Sequence, residues 1–203
     1  MRPPLSLDQF TRLAERASTP AGSLAAAATL VAWAEDPHPD DDVSPRELLA
    51  MAGSLRGAGE DPDGGVELLR RALVADGEAW VDPRGDLHHL LVAAGREEEA
   101  QAVAEELRRE RPTPAQALGS VATTLWDQGR LEEAHRWYTL AASRVLREAE
   151  DGSTPPGMDA LAGLLADRAE VRAELDLPTD ELDELGSQIE LDDEDDLDAD
   201  DLL

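Results

Sequence analysis

The chain has 203 residues, and 46 Asp and Glu against 18 Lys and Arg leave a formal charge of -28. All eighteen bases are Arg, and so acidic a chain is unsuited to phosphate backbones, whose binding needs cations that displace counterions; direct nucleic-acid binding is not expected. With no Cys there is no disulfide framework, thiolate or zinc ribbon, and one Phe, one Tyr and much Ala and Leu argue against a sheet.

In chain order, Ser6-Leu7-Asp8-Gln9 has the form of a capping box opening a helix to about Ala17, with Leu7, Phe10, Leu13 and Ala14 inward. Thr19-Pro20 opens a second helix to about Glu35, with Leu24, Ala27, Ala28, Val31 and Trp33 on its apolar face. Residues 36–42 form a polar, Pro-broken linker, and His38, without a second His, is expected in a solvated loop rather than a metal site. Ser44-Pro45-Arg46-Glu47 is another capping box. Residues 61–65 superficially suggest a calcium loop, but the ligand positions are out of place and a turn is expected.

Asp82-Pro83 caps the next helix. His88 and His89 on it point about 100° apart, which defeats chelation of one metal by both. There is no G-x-S-x-G, P-loop or H-E-x-x-H, so neither an enzyme, a metal site nor a cofactor is expected. Met1-Arg2-Pro3-Pro4 is not followed by an apolar run, and residues 24–33 are too short and Ala-rich to span a bilayer; the expected location is cytoplasmic, with no membrane partner.

Residues 113–146 organise the chain. Thr113-Pro114-Ala115-Gln116 starts a helix with Leu118, Val121, Ala122 and Leu125 on one face. Asp127-Gln128-Gly129-Arg130 turns the chain, and Leu131, Ala134, Tyr138, Ala141 and Val145 form a second stripe. So short a linker requires antiparallel helices. Shifted back by 34 residues, Gly129 falls on Gly95, Ala134 on Ala100, Leu125 on Leu91, Val121 on Leu87, and Glu132 and Glu133 on Glu98 and Glu99. A third copy reads Leu49, Ala52, Gly53 and Arg56, then Gly65 and Leu69, with a longer internal turn over residues 57–64.

After the repeats, residues 151–157 break the chain. A helix over 158–175 offers Leu161, Leu164, Leu165, Ala169 and Val171 for burial and can cover Trp137, and Leu177-Pro178-Thr179 starts a short helix over 180–185. From Asp176 onward there are fourteen acidic residues and no basic one, so residues 187–203 are expected to repel themselves and stay disordered alone. Ile189, Leu191, Leu197, Leu202 and Leu203 punctuate that tail; it is read as a solubilising segment or as a docking motif that orders on a partner or on the chain's own groove.

The 34-residue helix-turn-helix period, with Leu118, Val121, Ala122, Leu125, Ala134 and Tyr138 at its pattern positions and Pro112 at the terminal one, resembles the tetratricopeptide repeat (TPR) over roughly residues 44–149. The resemblance implies an all-α, right-handed superhelix, an α-solenoid of antiparallel helix pairs. Residues 1–43 would be an N-terminal cap or degenerate repeat with its linker, 44–149 the repeats, 150–186 C-terminal capping helices and 187–203 the disordered acidic tail. It further implies a concave groove lined by first helices, here Glu47, Met51 and Ser54, then Asp82, Asp86 and His89, then Gln116, Thr123, Trp126 and Asp127. That wall is acidic, with Trp126 as an aromatic anchor. The chain has no Lys or Asn, so it departs from the TPR subclass that clamps a C-terminal carboxylate. The expected partner is a basic peptide or helix, and the expected function a protein-interaction module or adaptor. The alternative is an acidic DNA mimic, or an inhibitor of a basic nucleic-acid-binding protein.

Overall fold

The computed structural model describes residues 2–111, 114–150 and 158–189. Among them every regular element is helical: α1 (Leu7–Glu15), α2 (Pro20–Glu35), α3 (Pro45–Ala58), α4 (Pro62–Val74), α5 (Arg84–Ala93), α6 (Glu97–Arg109), α7 (Ala115–Asp127), α8 (Leu131–Glu150), α9 (Met158–Glu174) and α10 (residues 181–189). None of the helices over described residues is long and apolar enough to cross a membrane. The chain forms two compact units, Met1–Glu105 and Glu106–Leu203. The expected cap at Thr113 and the residues Leu191, Leu197, Leu202 and Leu203 lie outside the described residues.

In the first unit, Ser6 forms the expected reciprocal box with Gln9, and Thr19 caps Gly22 with Pro20 in the first turn. The faces differ from expectation. Phe10 is buried but Leu7 is exposed, and α2 buries Ser23, Ala26, Ala27 and Leu30 while Leu24 and Ala28 face out. A helix of nearly uniform apolarity has no moment to set its rotation, so the neighbouring α3 sets it. Residues 36–42 are a mostly exposed loop, as expected, but it is anchored at Asp41. Asp41 accepts from Arg2 (Nη1, 2.8 Å), from Leu5 N (2.7 Å) and from His38 N (2.9 Å), and the Arg2 guanidinium holds its carboxyl well below the usual range.

The repeat register survives in three turns, spaced by 35 and 34 residues. After α3, α5 and α7 the chain enters the left-handed region at Glu60 (φ 65), Gly95 (φ 71) and Gly129 (φ 72). Each of these residues donates its N–H to the carbonyl three back, and the next residue, Asp61, Arg96 or Arg130, donates to the carbonyl five back. These are three copies of one Schellman turn; α9 ends in a fourth, with Asp176 at φ 53 donating to the Ala173 carbonyl and Leu177 N to the Arg172 carbonyl, outside the repeat register. The turn after α3 is therefore as tight as the others, not longer: α3 continues to Ala58, and Asp61 already caps α4 through Gly64 N. Arg96 and Arg130 each pair with the Glu three residues on, Glu99 and Glu133, so two of the repeated acidic positions serve the turns.

Helices α3 and α4 cross with backbones in contact. A Cβ on Gly65 would lie 2.8 Å from the Gly53 carbonyl oxygen and 2.4 Å from Leu90 Cδ1. Helix α5 packs on both members of the pair, and Leu48, Ala52, Val66, Leu69, Leu87 and Leu91 close the core.

In the second unit, α9 packs on both α7 and α8, and Tyr138, fully buried, reaches Thr123 Oγ1 at 2.7 Å through its hydroxyl. Leu161, Leu164, Leu165 and Val171 are buried as expected, while Ala169 is half-buried. In the described part of the acidic segment, residues 176–189, two carboxylates are engaged. Asp180 caps α10 by accepting from Leu182 N and Asp183 N, and Asp183 accepts in return from Asp180 N. Both carboxylates face two buried cations of α9. Arg168 bonds Thr139 Oγ1 (2.9 Å), Asp180 Oδ1 (3.0 Å) and Asp183; Arg172 bonds Asp183 Oδ2 (2.9 Å), His135 Nε2 (3.2 Å) and the Pro178 carbonyl. α10 accordingly extends past the expected end at 185, and Ile189, expected in the tail, is buried.

His135 is held below its ordinary 6.5 by burial first and by Arg168 and Arg172 next, against an opposing pull from Asp180 and Asp183. A His depressed in the folded state takes up its proton more readily when unfolded, so it favours folding above about 6.5 and that contribution is lost as pH falls toward the folded value. Thermal midpoints measured from pH 8 to pH 5 should decline less steeply in His135→Gln than in the native chain; identical slopes would show that His135 is not the group responsible.

Candidate binding cleft

Helix α3 ends against α5, and the last turn of α3, the Schellman turn and the outer face of α5 enclose a cleft of about 560 Å³. Gly57 admits Leu90 so closely that a Cβ there would stand 2.4 Å from its Cδ2. Leu90, Ala58, Ala93 and Pro62 make an apolar floor, and Ser54, Glu60, Asp86 and His89 stand around it. A volume in the hundreds of cubic ångströms with an apolar floor and a few polar groups is the form of a ligand site. Ser54 Oγ donates to Asp86 Oδ2, which anchors that carboxylate on the α3 side of the cleft. Asp86, Glu60 and His89 are all exposed.

Of the residues expected on the acidic wall of this unit, Asp86 and His89 are thus brought together, with Ser54 beside them. Glu47 is not on that wall. It is 6% exposed, and its carboxylate accepts from Trp80 N at 2.9 Å instead of completing a box at the start of α3; Ser44 alone caps Glu47 N there. Burial raises its carboxyl, and the Trp80 N–H offsets part of that rise. The reason for the displacement is the loop over residues 75–83. Ser44 Oγ donates to the Glu78 carbonyl and Arg46 to the Ala75 carbonyl, so this loop covers the start of α3. Trp80, set edge-on to Phe10 at 5.3 Å, is 57% exposed on it. Met51 is half-buried against the unit core. Asp82 is half-buried, accepts from Arg84 N at 3.0 Å and pairs with its guanidinium, so it is engaged at the entry to α5 rather than facing a ligand; the cap position itself is Pro83, without the expected side-chain cap.

In the second unit Gln116 and Asp127 are exposed on α7. Thr123 is exposed but its hydroxyl is engaged by Tyr138. Trp126 is half-buried and donates Nε1 to Glu174 of α9 at 2.9 Å, so its polar edge is already used within its own unit.

Glu60 is the cleft residue that sequence reasoning missed. Four glycines over residues 57–65 offered rival turn positions, and a Glu in the left-handed region was not the natural choice. A signal existed, since the third copy aligns to the second at a spacing of 35, which places Glu60 on Gly95. No family model matches the chain, and comparison with curated proteins and with solved structures finds none that matches.

Proposed function

We propose that the chain is a non-enzymatic, TPR-like interaction module of the α-solenoid type, which holds a basic peptide or helix against the acidic cleft between α3 and α5. The observation that carries this reading is the cleft itself, in which Asp86 and Glu60 border an apolar floor. A cationic, partly apolar segment complements both features: its charge meets carboxylates and its hydrocarbon covers Leu90, Ala58 and Ala93. Two features of the chain support the repeat reading. The Schellman turns after α3, α5 and α7 recur at spacings of 35 and 34, and both α5 and α9 touch both helices of the pair before them, as the next hairpin does in a stacked array.

The test is binding of a labelled amphipathic helical peptide with an Arg and Lys stripe, monitored by fluorescence anisotropy, with a Glu-substituted peptide as control. The basic peptide should bind and the acidic one should not. Asp86→Arg should weaken binding about tenfold, the effect of one like-charge contact of about 1.4 kcal/mol, without moving the thermal midpoint, because Asp86 is exposed. Undiminished binding by Asp86→Arg would exclude the cleft.

A further inference from the structure

The cleft carries a more specific assignment, which rests on the reading above. Four helices, α3, α5, α7 and α9, end in the same Schellman turn; Gly95 and Gly129 hold the left-handed position in two of them, Asp176, whose short polar side chain tolerates that region, holds it after α9, and the longer Glu60 holds it after α3. A side chain there crowds its own backbone where glycine does not, so the turn alone gains nothing from Glu. That side chain, however, lines the same cleft as Asp86, which is fixed by Ser54. Among the described residues no cation pairs with Glu60. The cleft that the two carboxylates share is also lined by hydrocarbon: Ala58, Pro62, Leu90 and Ala93.

The geometry points to a seat for one arginine side chain of the basic partner, its methylenes on Leu90 and Ala93 and its guanidinium between Glu60 and Asp86. Arginine rather than lysine is favoured by the lining. A guanidinium is more weakly hydrated than an ammonium, so it loses less on entering a mainly apolar cleft, and its planar fork offers donors in two directions to two separate carboxylates. Glu60 is then the specificity-determining residue, placed where a more stable turn would have had glycine.

The probe is N-acetyl-arginine amide, titrated into the full-length, isotopically labelled chain and monitored by amide shifts, with the lysine and norleucine analogues in parallel. Arginine should shift Gly57, Ala58, Glu60, Leu90 and Ala93 along saturating curves, lysine should bind about fivefold more weakly, and norleucine should leave these amides in place. Glu60→Gln should weaken arginine binding about tenfold. Glu60→Gly should weaken it as much while raising the thermal midpoint by about 2–4 °C, because the left-handed strain is relieved. Shifts spread over the acidic surface without saturation, equal affinity for lysine, or full arginine binding by Glu60→Gln would each overturn the assignment. So would a lowered midpoint in Glu60→Gly, which would make Glu60 a stabilising residue. If Glu60→Gln still binds the basic helical peptide at full strength while Asp86→Arg does not, the arginine seat fails and the broader reading stands; if neither variant is affected, both fail.

Discussion

Asp183→Ala lowers the stability of the second unit by about 3 kcal/mol, the lower end of the loss expected when one partner is removed from a buried ion cluster. Arg168 is 2% exposed and Arg172 8%, and each lends Asp183 a guanidinium. Removing that carboxylate leaves two buried cations facing Asp180 alone, and it also removes the acceptor for Asp180 N, so the start of α10 loses half of its reciprocal cap. Ile189 at the far end of α10 should then become exposed. Urea unfolding monitored by circular dichroism, with amide exchange over residues 181–189, measures both effects. A loss below about 0.5 kcal/mol would show that the cluster is no stronger than a surface ion pair. The pH dependence has a definite sign. Asp180 is held far below its ordinary range, chiefly by Arg168, so its contribution is present above about pH 4 and lost on acidification toward its folded value.

Gly65→Val costs the first unit about 3 kcal/mol, the upper part of the range for an overpacked core. The added Cβ meets the Gly53 carbonyl oxygen at 2.8 Å, and that atom belongs to a helix backbone with no rotamer to give way. The α3–α4 crossing must open, and with it the packing of Leu69 and Leu90. Because Leu90 floors the cleft, arginine affinity should fall with stability, which distinguishes this variant from Glu60→Gly. Gly163→Ala is the control. Among the described residues nothing lies within 4 Å of a Cβ there, so it should stabilise α9 by about 0.5–1 kcal/mol. Thermal unfolding of the two variants beside the native chain measures the contrast, and equal effects would mean that the crossing is not as close as it stands.

Local signals were enough for the helices. Caps at Ser6, Thr19 and Ser44, the 34-residue register and the glycines at 95 and 129 act over a few residues and can be read from neighbours in the chain, whereas Asp61, expected to open a turn over residues 61–65, caps α4. The helical class and most of the core come from these. The burial of Glu47 under the 75–83 loop could not be read that way, because its partner, Trp80 N, is 33 residues distant and the pairing is made by a loop with no periodicity of its own. The same holds for α10. Arg168 and Arg172 are four apart and Asp180 and Asp183 three apart, so each pair shares a face, but that the two faces meet with both guanidiniums buried is a matter of packing. Counted along the chain, the last 28 residues hold uncompensated negative charge; in space, two of those charges are neutralised from α9. By itself the sequence determined where helices begin, end and repeat, because hydrogen bonding and backbone preference are local. Only the tertiary structure decided which charges are buried, which face outward and where the cleft opens, because burial depends on what another part of the chain brings to the same place.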